Sequence, residues 1–329
     1  MTRDGQAAPL VAVVTPVLNG ERYLQATMEA VQAQSYTNAV HVVLDNASTD
    51  ATPRIIDAFK GRRVPVLSQR NTSTIGLSEN WNAALALVPP HAKYFTVLCA
   101  DDLIEPTFVS KLTAVAESDA AVELVGCMFR RDATVVPASL PNDQALFDGR
   151  DVVRSFLNKK SNDIPHMWGL YRRHDSDITS NFFDTSILMF DTNACIRAMV
   201  RGKFGFVHEP LYTYRQHSDS ISETVIKGST HRLFDSMVEI ERWGPLVMGE
   251  AEYRRCQRRH LRAIYRYMLR ARYRGQDSLY AQHREFLGAR HIKPGTLDFM
   301  HSVAEWPFQK LARYARQQRD RLRVSEPGR

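Results

Sequence analysis

An apolar run in the first third of the chain ends in two adjacent carboxylates: Tyr94-Phe95-Thr96-Val97-Leu98-Cys99-Ala100-Asp101-Asp102. A run of this length predicts a buried strand with Asp101 and Asp102 at its carboxyl end. Ligands bind at that end of the strands in open α/β sheets. Neighbouring acids repel each other unless a cation or hydrogen-bond donors compensate, so the pair indicates a divalent metal site with oxygen ligands. The alternative is a solvated turn in which Asp102 caps the following helix.

The residues before this stretch alternate between strand and helix patterns. A first strand is predicted from Leu10, with breaks at Pro16 and at Asn19-Gly20, and further strands are predicted over 39–45 and 64–67. Helices are predicted over 21–34, from Thr52 and over 77–87. This alternation predicts a doubly wound, mostly parallel α/β sheet. The carboxyl ends of parallel strands meet at one edge of the sheet, so the sequence brings together the polar residues Asn19, Asp45, Asp101 and Asp102.

The middle of the chain has a mixed pattern. It predicts a strand over 122–129, helices over 151–157 and 191–198, and a strand over 204–207. The segment 166–173 combines aromatic and basic side chains, which suit a sugar ring but more often fill a half-buried site. Both interpretations stay open on the sequence alone.

Composition and motifs exclude several classes of protein. The four cysteines form no CxxC pair, which argues against a zinc site or a disulfide framework. Neither a GxGxxG after the first strand nor a complete phosphate loop is present, which removes the two commonest nucleotide-binding motifs. Since the amino-terminal residues lack a signal-peptide pattern and no apolar run approaches the ~20 residues of a membrane span, we expect a cytoplasmic protein.

The net charge of +7 is unevenly distributed. Residues 231–329 contain 21 Lys+Arg against 11 Asp+Glu, whereas residues 1–230 carry a net −3. The favoured interpretation of the basic residues is a solvated face, followed by peripheral contact with an anionic membrane on its inner face. A nucleic-acid partner is not expected, because helix-turn-helix, zinc and stacking motifs are missing. The basic face repeats every four residues, at Arg254, Arg258, Arg262, Arg266, Arg270 and Arg274.

Four segments in register resemble the inverting, nucleotide-sugar-dependent glycosyltransferases of family 2. They are Thr15 to Glu21, Leu44 to Asp50, Leu98 to Asp102 with Pro106, and Asp191 to His217. The resemblance implies the GT-A fold over residues 9–225, with a nucleotide-binding half at 9–118 and an acceptor-binding half at 119–225. A disordered amino terminus at 1–8 and a basic helical region at 226–329 complete the expected organisation.

The resemblance also implies residue roles in donor binding. The loop with Pro16, Asn19 and Glu21 would lie against the base and ribose, and Asp45 would bond the base. Asp101 would contact the ribose, and Asp102 would hold Mg²⁺ or Mn²⁺ on the diphosphate. The nearby basic pair would be Arg215, which binds the nucleotide, and His217, which is assigned to the metal.

The implied catalytic base is Asp191, which precedes Arg197 by six residues as in the family. Asp184 is a nearby rival. The sequence departs from the common family pattern at Leu18 where Tyr is frequent, at Cys99 where many members have an acid, and at Phe190 and Asn193 near the base. These departures bear on stacking against the nucleotide and on the identity of the base.

The resemblance implies transfer of a sugar from a nucleotide donor, UDP-sugar before dTDP or GDP, to a hydroxyl of a glycan, lipid-linked or small-molecule acceptor, as in polysaccharide biosynthesis. A single displacement needs one carboxylate near the acceptor and a charge clamp on the leaving diphosphate, and the sequence supplies both. A catalytically inactive binding protein with the same fold is the alternative. The sequence leaves open whether the chain forms a homo-oligomer.

Overall fold

The computed structural model describes residues 7–159, 168–179, 181–218, 220 and 231–305. The chain divides into two compact units, Met1–Gly228 and Ser229–Arg329. The predicted boundary between residues 225 and 226 lies outside the described residues, as do residues 1–6 of the predicted amino terminus.

The first unit alternates strands and helices before it becomes irregular. Its described strands are β1 (Val11–Val17), β2 (Ala39–Asp45), β3 (Val66–Arg70), β4 (Tyr94–Val97), β5 (Leu103–Ile104), β6 (Val122–Arg131), β7 (Thr134–Val136), β8 (Leu146–Asp148), β9 (Leu170–Arg172) and β10 (Lys203–Tyr214). Its described helices are α1 (Leu24–Gln32), α2 (Thr52–Asp57), α3 (Leu77–Ala86), α4 (Phe108–Glu117), α5 (Gly149–Leu157), α6 (Asp175–Thr179) and α7 (Phe190–Met199).

These strands form one mixed, mostly parallel sheet in the order β3-β2-β1-β4-β9-β6-β10-β5. The first four pair in parallel, and β6 pairs in parallel with β10. Between these groups lies β9, which is antiparallel to both β4 and β6. The predicted α/β sheet with helices is confirmed, and its parallel strands bring their carboxyl ends to one edge.

Of the two predicted breaks of the first strand, the one at Pro16 is wrong, because β1 continues to Val17 in register with β2. The break at Asn19-Gly20 agrees with the end of β1. The carbonyl of Val14 accepts from the backbone of Leu98 and that of Val17 from Asn46. The backbone hydrogen-bonding groups of successive β1 residues therefore point alternately towards β4 and towards β2. Those of Pro16 point towards β4, at a position just beyond the last β1–β4 pair, Val14 with Val97. A residue without an N–H loses no ladder bond at that position.

The aromatic segment after residue 167 is part of the core. Trp168 and Tyr171 are 7% and 1% exposed. The Trp168 ring packs against Phe129 and Tyr212, and Tyr171 stacks on Phe95. The packing interpretation therefore holds for these residues, and His166 and Met167 lie outside the described part of the chain.

The described part of the second unit is helical, as expected from its pattern. It contains α8 (His231–Val247), α9 (Glu250–Tyr273), α10 (Asp277–Gly288) and α11 (Thr296–Ala304). Its core is formed by Met237, Ile264, Tyr265, Met268 and Leu287. Among the described helices none combines the length and the apolar character required to span a bilayer.

A buried histidine lies in the middle of the parallel strands. His41 on β2 is fully buried and shares a 2.9 Å hydrogen bond between its Nε2 and the Thr15 hydroxyl of β1. Burial lowers the pKa of His41 from 6.5 to about 3. The folded chain therefore keeps this ring neutral at pH values where the unfolded chain protonates it.

We expect acidification to destabilise the fold through His41. Because the unfolded state binds the extra proton, stability falls as the pH drops below 6.5, by about 1.4 kcal/mol per pH unit down to the folded pKa. Urea unfolding at several pH values measures this slope. His41→Met should show a shallower slope than the unmodified chain over the same range, and equal slopes would contradict the prediction.

Candidate active site

The loop after β1 is tied to the loop after β2. Asn19 has a φ of +52°, a conformation that asparagine tolerates better than most residues. Its backbone N–H donates to Ser48 Oγ at 2.8 Å, and its Oδ1 accepts from the Thr49 N–H at 2.9 Å. A Cβ on Gly20 would lie 2.6 Å from Val17 Cγ2, so only glycine permits this close turn. The loop is thus held in one shape by local contacts.

Glu21 extends the same connection. Its N–H donates to Asp50 Oδ2 at 2.9 Å, and its own Oε2 accepts from the Ala51 N–H at 3.1 Å. Pro16 lies inside β1 itself. The hydrogen bonds of Asn19 and Glu21 stabilise the loop after β1 by joining it to residues 48–51. The predicted contact of Pro16, Asn19 and Glu21 with a nucleotide stays a prediction.

Asp45 is buried at the end of β2, with 2% of its surface exposed. Its Oδ1 accepts from the Ser48 N–H at 2.9 Å, and its Oδ2 pairs with Arg70 at 2.7 Å. Arg70 ends β3 and has a side chain that is 47% exposed. The predicted base-binding acid is therefore half of a pair whose guanidinium reaches the surface. Arg70 was not predicted from the sequence, where it lies after the predicted strand at 64–67.

Asp102 is the inner carboxylate of the motif after β4, with 1% of its surface exposed. Its Oδ2 accepts from the Tyr212 hydroxyl at 2.6 Å, and its Oδ1 accepts from the Arg215 N–H at 2.9 Å. Burial and the neighbouring Asp101 charge raise the pKa of Asp102 to about 7, against the lowering effect of Tyr212 and Arg215. Asp102 thereby fastens the end of β10 to the motif.

Asp101 is the outer carboxylate, with a side chain that is 32% exposed. Its Oδ2 lies 2.8 Å from His217 Nε2, and the His217 ring packs on Tyr23 with centroids 4.6 Å apart. The Arg215 guanidinium lies over the same Tyr23 ring and donates to the Asp101 carbonyl and to Thr27 Oγ1. The structure therefore joins the predicted basic pair to the predicted acidic pair.

Asp191 lies in the first turn of α7. Burial raises the pKa of the Cys99 thiol well above its ordinary value, and the charges of Asp101, Asp102 and Asp191 add to this increase. The contribution of Asp191 indicates that its carboxylate lies in the neighbourhood of Cys99. Asp184, by contrast, accepts hydrogen bonds from the N–H and hydroxyl of Ser186 in the turn before α7.

The donor set at this edge fits a divalent cation. Cys99 Sγ and one carboxylate oxygen from each of Asp101 and Asp102 lie within 4.8 Å of one another. His217 Nδ1 is buried and has no hydrogen-bond partner among the described residues. Carboxylate oxygens with a nearby imidazole suit Mg²⁺ and Mn²⁺ better than soft metals.

A comparison with protein families identifies residues 12–179, just over half of the chain, as "Glycosyl transferase family 2". The chain belongs to this family. The matched residues include the loop after β1, Asp45 and the acidic pair, whereas Asp191, Arg215 and His217 lie beyond them. The transferase is therefore an enzyme of the glycosyltransferase class, as the sequence predicted.

Individual relatives agree with this assignment. The glycosyltransferase GlyG of Streptococcus pneumoniae is 26% identical over 231 residues, which cover 65% of this chain and 73% of GlyG. The structure of Staphylococcus aureus TarS 1-349 in complex with UDP-GlcNAc superimposes with a TM-score of 0.65 at 14% identity, covering 85% of this chain and 81% of that one.

A second solved structure is similar over most of the chain. The mannosyltransferase PcManGT from Pyrobaculum calidifontis, in complex with GDP-Man and Mn²⁺, has a TM-score of 0.56 at 16% identity and covers 92% of this chain and 88% of its own. At these identities the structural likeness establishes the fold, which is GT-A, as predicted.

The sequence did not single out four of the residues that build the site. Tyr23 lies beside α1 and contacts His217, and Thr27 lies on α1 and accepts from Arg215. Tyr212 lies on β10 and donates to Asp102, so each of the three joins the site through tertiary contacts alone. Arg70 reaches Asp45 in the same way. The position of Arg70 shortly after the predicted strand at 64–67 is the one signal that could have drawn attention to it, and in the structure β3 pairs in parallel with β2.

Proposed function

We propose that this transferase moves a sugar from a nucleoside-diphosphate donor to an acceptor hydroxyl with inversion at the anomeric carbon. Asp191 is the proposed base, and Asp101, Asp102, Arg215 and His217 hold the diphosphate end of the donor. The carrying observation is the cluster of Cys99, Asp101 and Asp102, whose ligand atoms lie within 4.8 Å of one another and which contacts Arg215 and His217. The effect of the Asp191 charge on Cys99 supports a place for the base near this cluster.

A single displacement uses these groups in a defined way. Asp191 removes the proton of the acceptor hydroxyl as its oxygen attacks the anomeric carbon, and the bond from that carbon to the diphosphate oxygen breaks on the opposite face. The electron pair of that bond leaves with the nucleoside diphosphate. The positive charge of Arg215, about 5 Å above Tyr23 and bonded to the Asp101 carbonyl, opposes the negative charge that develops there. No covalent enzyme intermediate is required.

The acidic pair and His217 would hold Mg²⁺ or Mn²⁺. Such a cation, when bound, neutralises charge on the leaving diphosphate. Asp101 is the more exposed of the two acids and would therefore be the main ligand of the cation. Each oxygen of Asp102 already accepts a hydrogen bond from the protein, but it retains a lone pair with which it could also contact the cation. His217 Nδ1 is the ring nitrogen not used by Asp101. This division differs from the sequence expectation, in which Asp101 contacts only the ribose.

UDP-sugars are the first donors to test. TarS 1-349 was solved with UDP-GlcNAc and PcManGT with GDP-Man and Mn²⁺, so both nucleotides belong in the panel. The paired Asp45 and Arg70 offer an acceptor and donors to the edge of a base. A thermal-shift panel of UDP-GlcNAc, UDP-glucose and GDP-mannose with Mn²⁺ identifies the donor, because a bound ligand raises the apparent stability.

We expect Asp101→Asn and Asp102→Asn to weaken Mn²⁺-dependent binding of UDP, because each removes a negative charge from the cation site. Titration calorimetry with UDP, with and without Mn²⁺, measures the effect. Asp119→Asn is the matched control, since Asp119 pairs with Lys203 at the amino ends of β6 and β10, the opposite edge of the sheet. Equal Mn²⁺ dependence in all three variants would refute the proposed metal site.

We expect Asp191→Asn to bind UDP with Mn²⁺ normally while turnover of the donor falls by roughly 100- to 10,000-fold, the usual contribution of a general base. Release of nucleoside diphosphate from the donor found in the panel measures turnover. Asp184→Asn is the comparison variant and should remain active. Full activity of Asp191→Asn would transfer the base role elsewhere, and binding without turnover in the unmodified chain would favour the inactive binding protein.

We further propose that the second unit contacts an anionic membrane surface. An apolar groove of about 450 Å³ lies between α9 and α11, and it is lined by Leu269, Phe299, Met300, Val303 and Ala304. Arg262 and Arg266 lie about two turns and one turn before Leu269 on α9, and they bond to Glu305 and to the Ser302 carbonyl, respectively, at the end of α11. Exposed apolar side chains bordered by arginines are complementary to acyl chains beneath anionic headgroups.

The vesicle test for this surface compares phosphatidylcholine alone with phosphatidylcholine containing phosphatidylglycerol. We expect co-sedimentation of the full chain only with the anionic vesicles, and loss of it in Met300→Asp, because a carboxylate at this 61% exposed position would enter the interface. Leu246→Asp is the control, since Leu246 is 54% exposed on α8 but does not line the groove. Absence of binding, or equal loss in both variants, would reject this partner.

A further inference from the structure

We propose that Asn82 is a positioning residue that fixes Asp191 for proton removal by holding the segment before α7. This inference rests on the proposed role of Asp191 as the base. Asn82 lies on α3, in the part of the chain that carries the nucleotide loops, and α7 lies more than 100 residues later. Asn82 would thus connect the part of the chain proposed to bind the donor with the helix that carries the proposed base.

The contact between Asn82 and the chain before α7 is a pair of hydrogen bonds. Asn82 Nδ2 donates to the Phe183 carbonyl at 2.8 Å, and the Phe183 N–H donates to Asn82 Oδ1 at 2.8 Å. One side-chain amide thus satisfies both backbone groups of a residue in a non-helical turn. Loss of these partners would leave two backbone polar groups of the turn unsatisfied, which would destabilise its conformation.

The neighbouring residue on α3 holds the same segment by packing. Trp81 is 6% exposed and makes edge contacts with Phe183 at 5.2 Å and with Phe190 at 5.1 Å between ring centroids. Phe190 immediately precedes Asp191 and is the first residue of α7. Asn82 therefore fixes the backbone before the helix, while Trp81 fixes the side chain adjacent to the base.

The start of α3 is connected to the nucleotide side of the site. Asn71, directly after β3, donates from Nδ2 to Asn46 Oδ1 at 2.9 Å and to Asn80 Oδ1 at 3.0 Å. Asn46 follows Asp45, and Asn80 precedes Trp81. A continuous set of hydrogen bonds and ring contacts thus extends from the loop after β2 to the first turn of α7, so a shift of α3 would displace the base relative to the donor.

The chain contains a matched control of the same chemistry. Gln32 Nε2 donates to the Val64 carbonyl at 2.8 Å, and the Val64 N–H donates to Gln32 Oε1 at 3.0 Å. This amide clamp is also half-buried, but it joins the end of α1 to the residues before β3, away from α7. Removal of either clamp breaks two similar hydrogen bonds, and of the two only the clamp at Asn82 holds the segment that leads into α7.

We expect Asn82→Ala to lower turnover about 10- to 100-fold, the effect of a displacement of about 1 Å of a reacting group, while UDP with Mn²⁺ binds as before. Gln32→Ala should lose comparable stability and keep normal turnover. The deciding measurement is the double variant with Asp191→Asn. If Asn82 acts through Asp191, the double variant should be no slower than Asp191→Asn alone, because the positioned group is already missing.

Hydrogen–deuterium exchange tests the same inference without a substrate. Asn82→Ala should accelerate exchange of the amides over 183–192, and Gln32→Ala should accelerate those around residue 64 instead. Normal turnover of Asn82→Ala, unchanged exchange over 183–192, or a further loss in the double variant would overturn the positioning role. Full activity of Asp191→Asn would instead show that the proposed base is wrong, so the two failures are distinguishable.

Discussion

The burial of one carboxylate, Asp102, organises the carboxyl edge of the sheet. Its two oxygens accept from a hydroxyl on β10 and from a backbone N–H just beyond that strand, partners that follow it by 110 and 113 residues. An ionised carboxylate at 1% exposure would be very unfavourable without such donors. Because both donors come from the end of β10, satisfying this charge fixes Arg215 and His217 beside Asp101. The charged groups of the site are thus placed by the need to solvate a single buried acid.

Local patterns predicted the first half of the fold well because its strands and helices are encoded by neighbours in sequence. The bounds of β2 were predicted without error, and α3 ended within one residue of its prediction. Long-range pairing was less accessible. The short strands β5 and β9 form only because distant partners offer them a ladder, and β10 continues from the predicted strand at 204–207 through a polar aromatic stretch because β6 lies beside it. Strands of two or three residues, such as β5 and β9, are too short to show an alternation of apolar and polar residues in the sequence.

The site shows the same division between local and tertiary information. The acids at the strand ends could be named from the sequence, because parallel strands necessarily bring those ends together. Their individual environments could not, since Asp101 and Asp102 are adjacent in sequence and yet differ from 32% side-chain exposure to near-complete burial. Tyr23 illustrates the limit: its ring lies against both His217 and Arg215, about 190 residues away, and no local pattern marks that contact.

The proposed inverting displacement would make strict demands on the relative position of the two halves of the site. In such a reaction the attacking hydroxyl and the leaving diphosphate occupy opposite faces of one carbon, so the proposed base and the proposed charge clamp would be separated by the sugar and yet have to be held in one frame. A covalent mechanism could use one nucleophile near one face, whereas a single displacement requires two distant groups to be correctly placed at once. In this fold the clamp is fixed through Asp102 and β10, and the helix that carries Asp191 is fixed through Trp81 and Asn82 on α3. Under the proposed mechanism, these tertiary contacts would hold the base and the charge clamp at a constant separation, which is a reason for polar and aromatic side chains far from the reacting atoms to pack so closely.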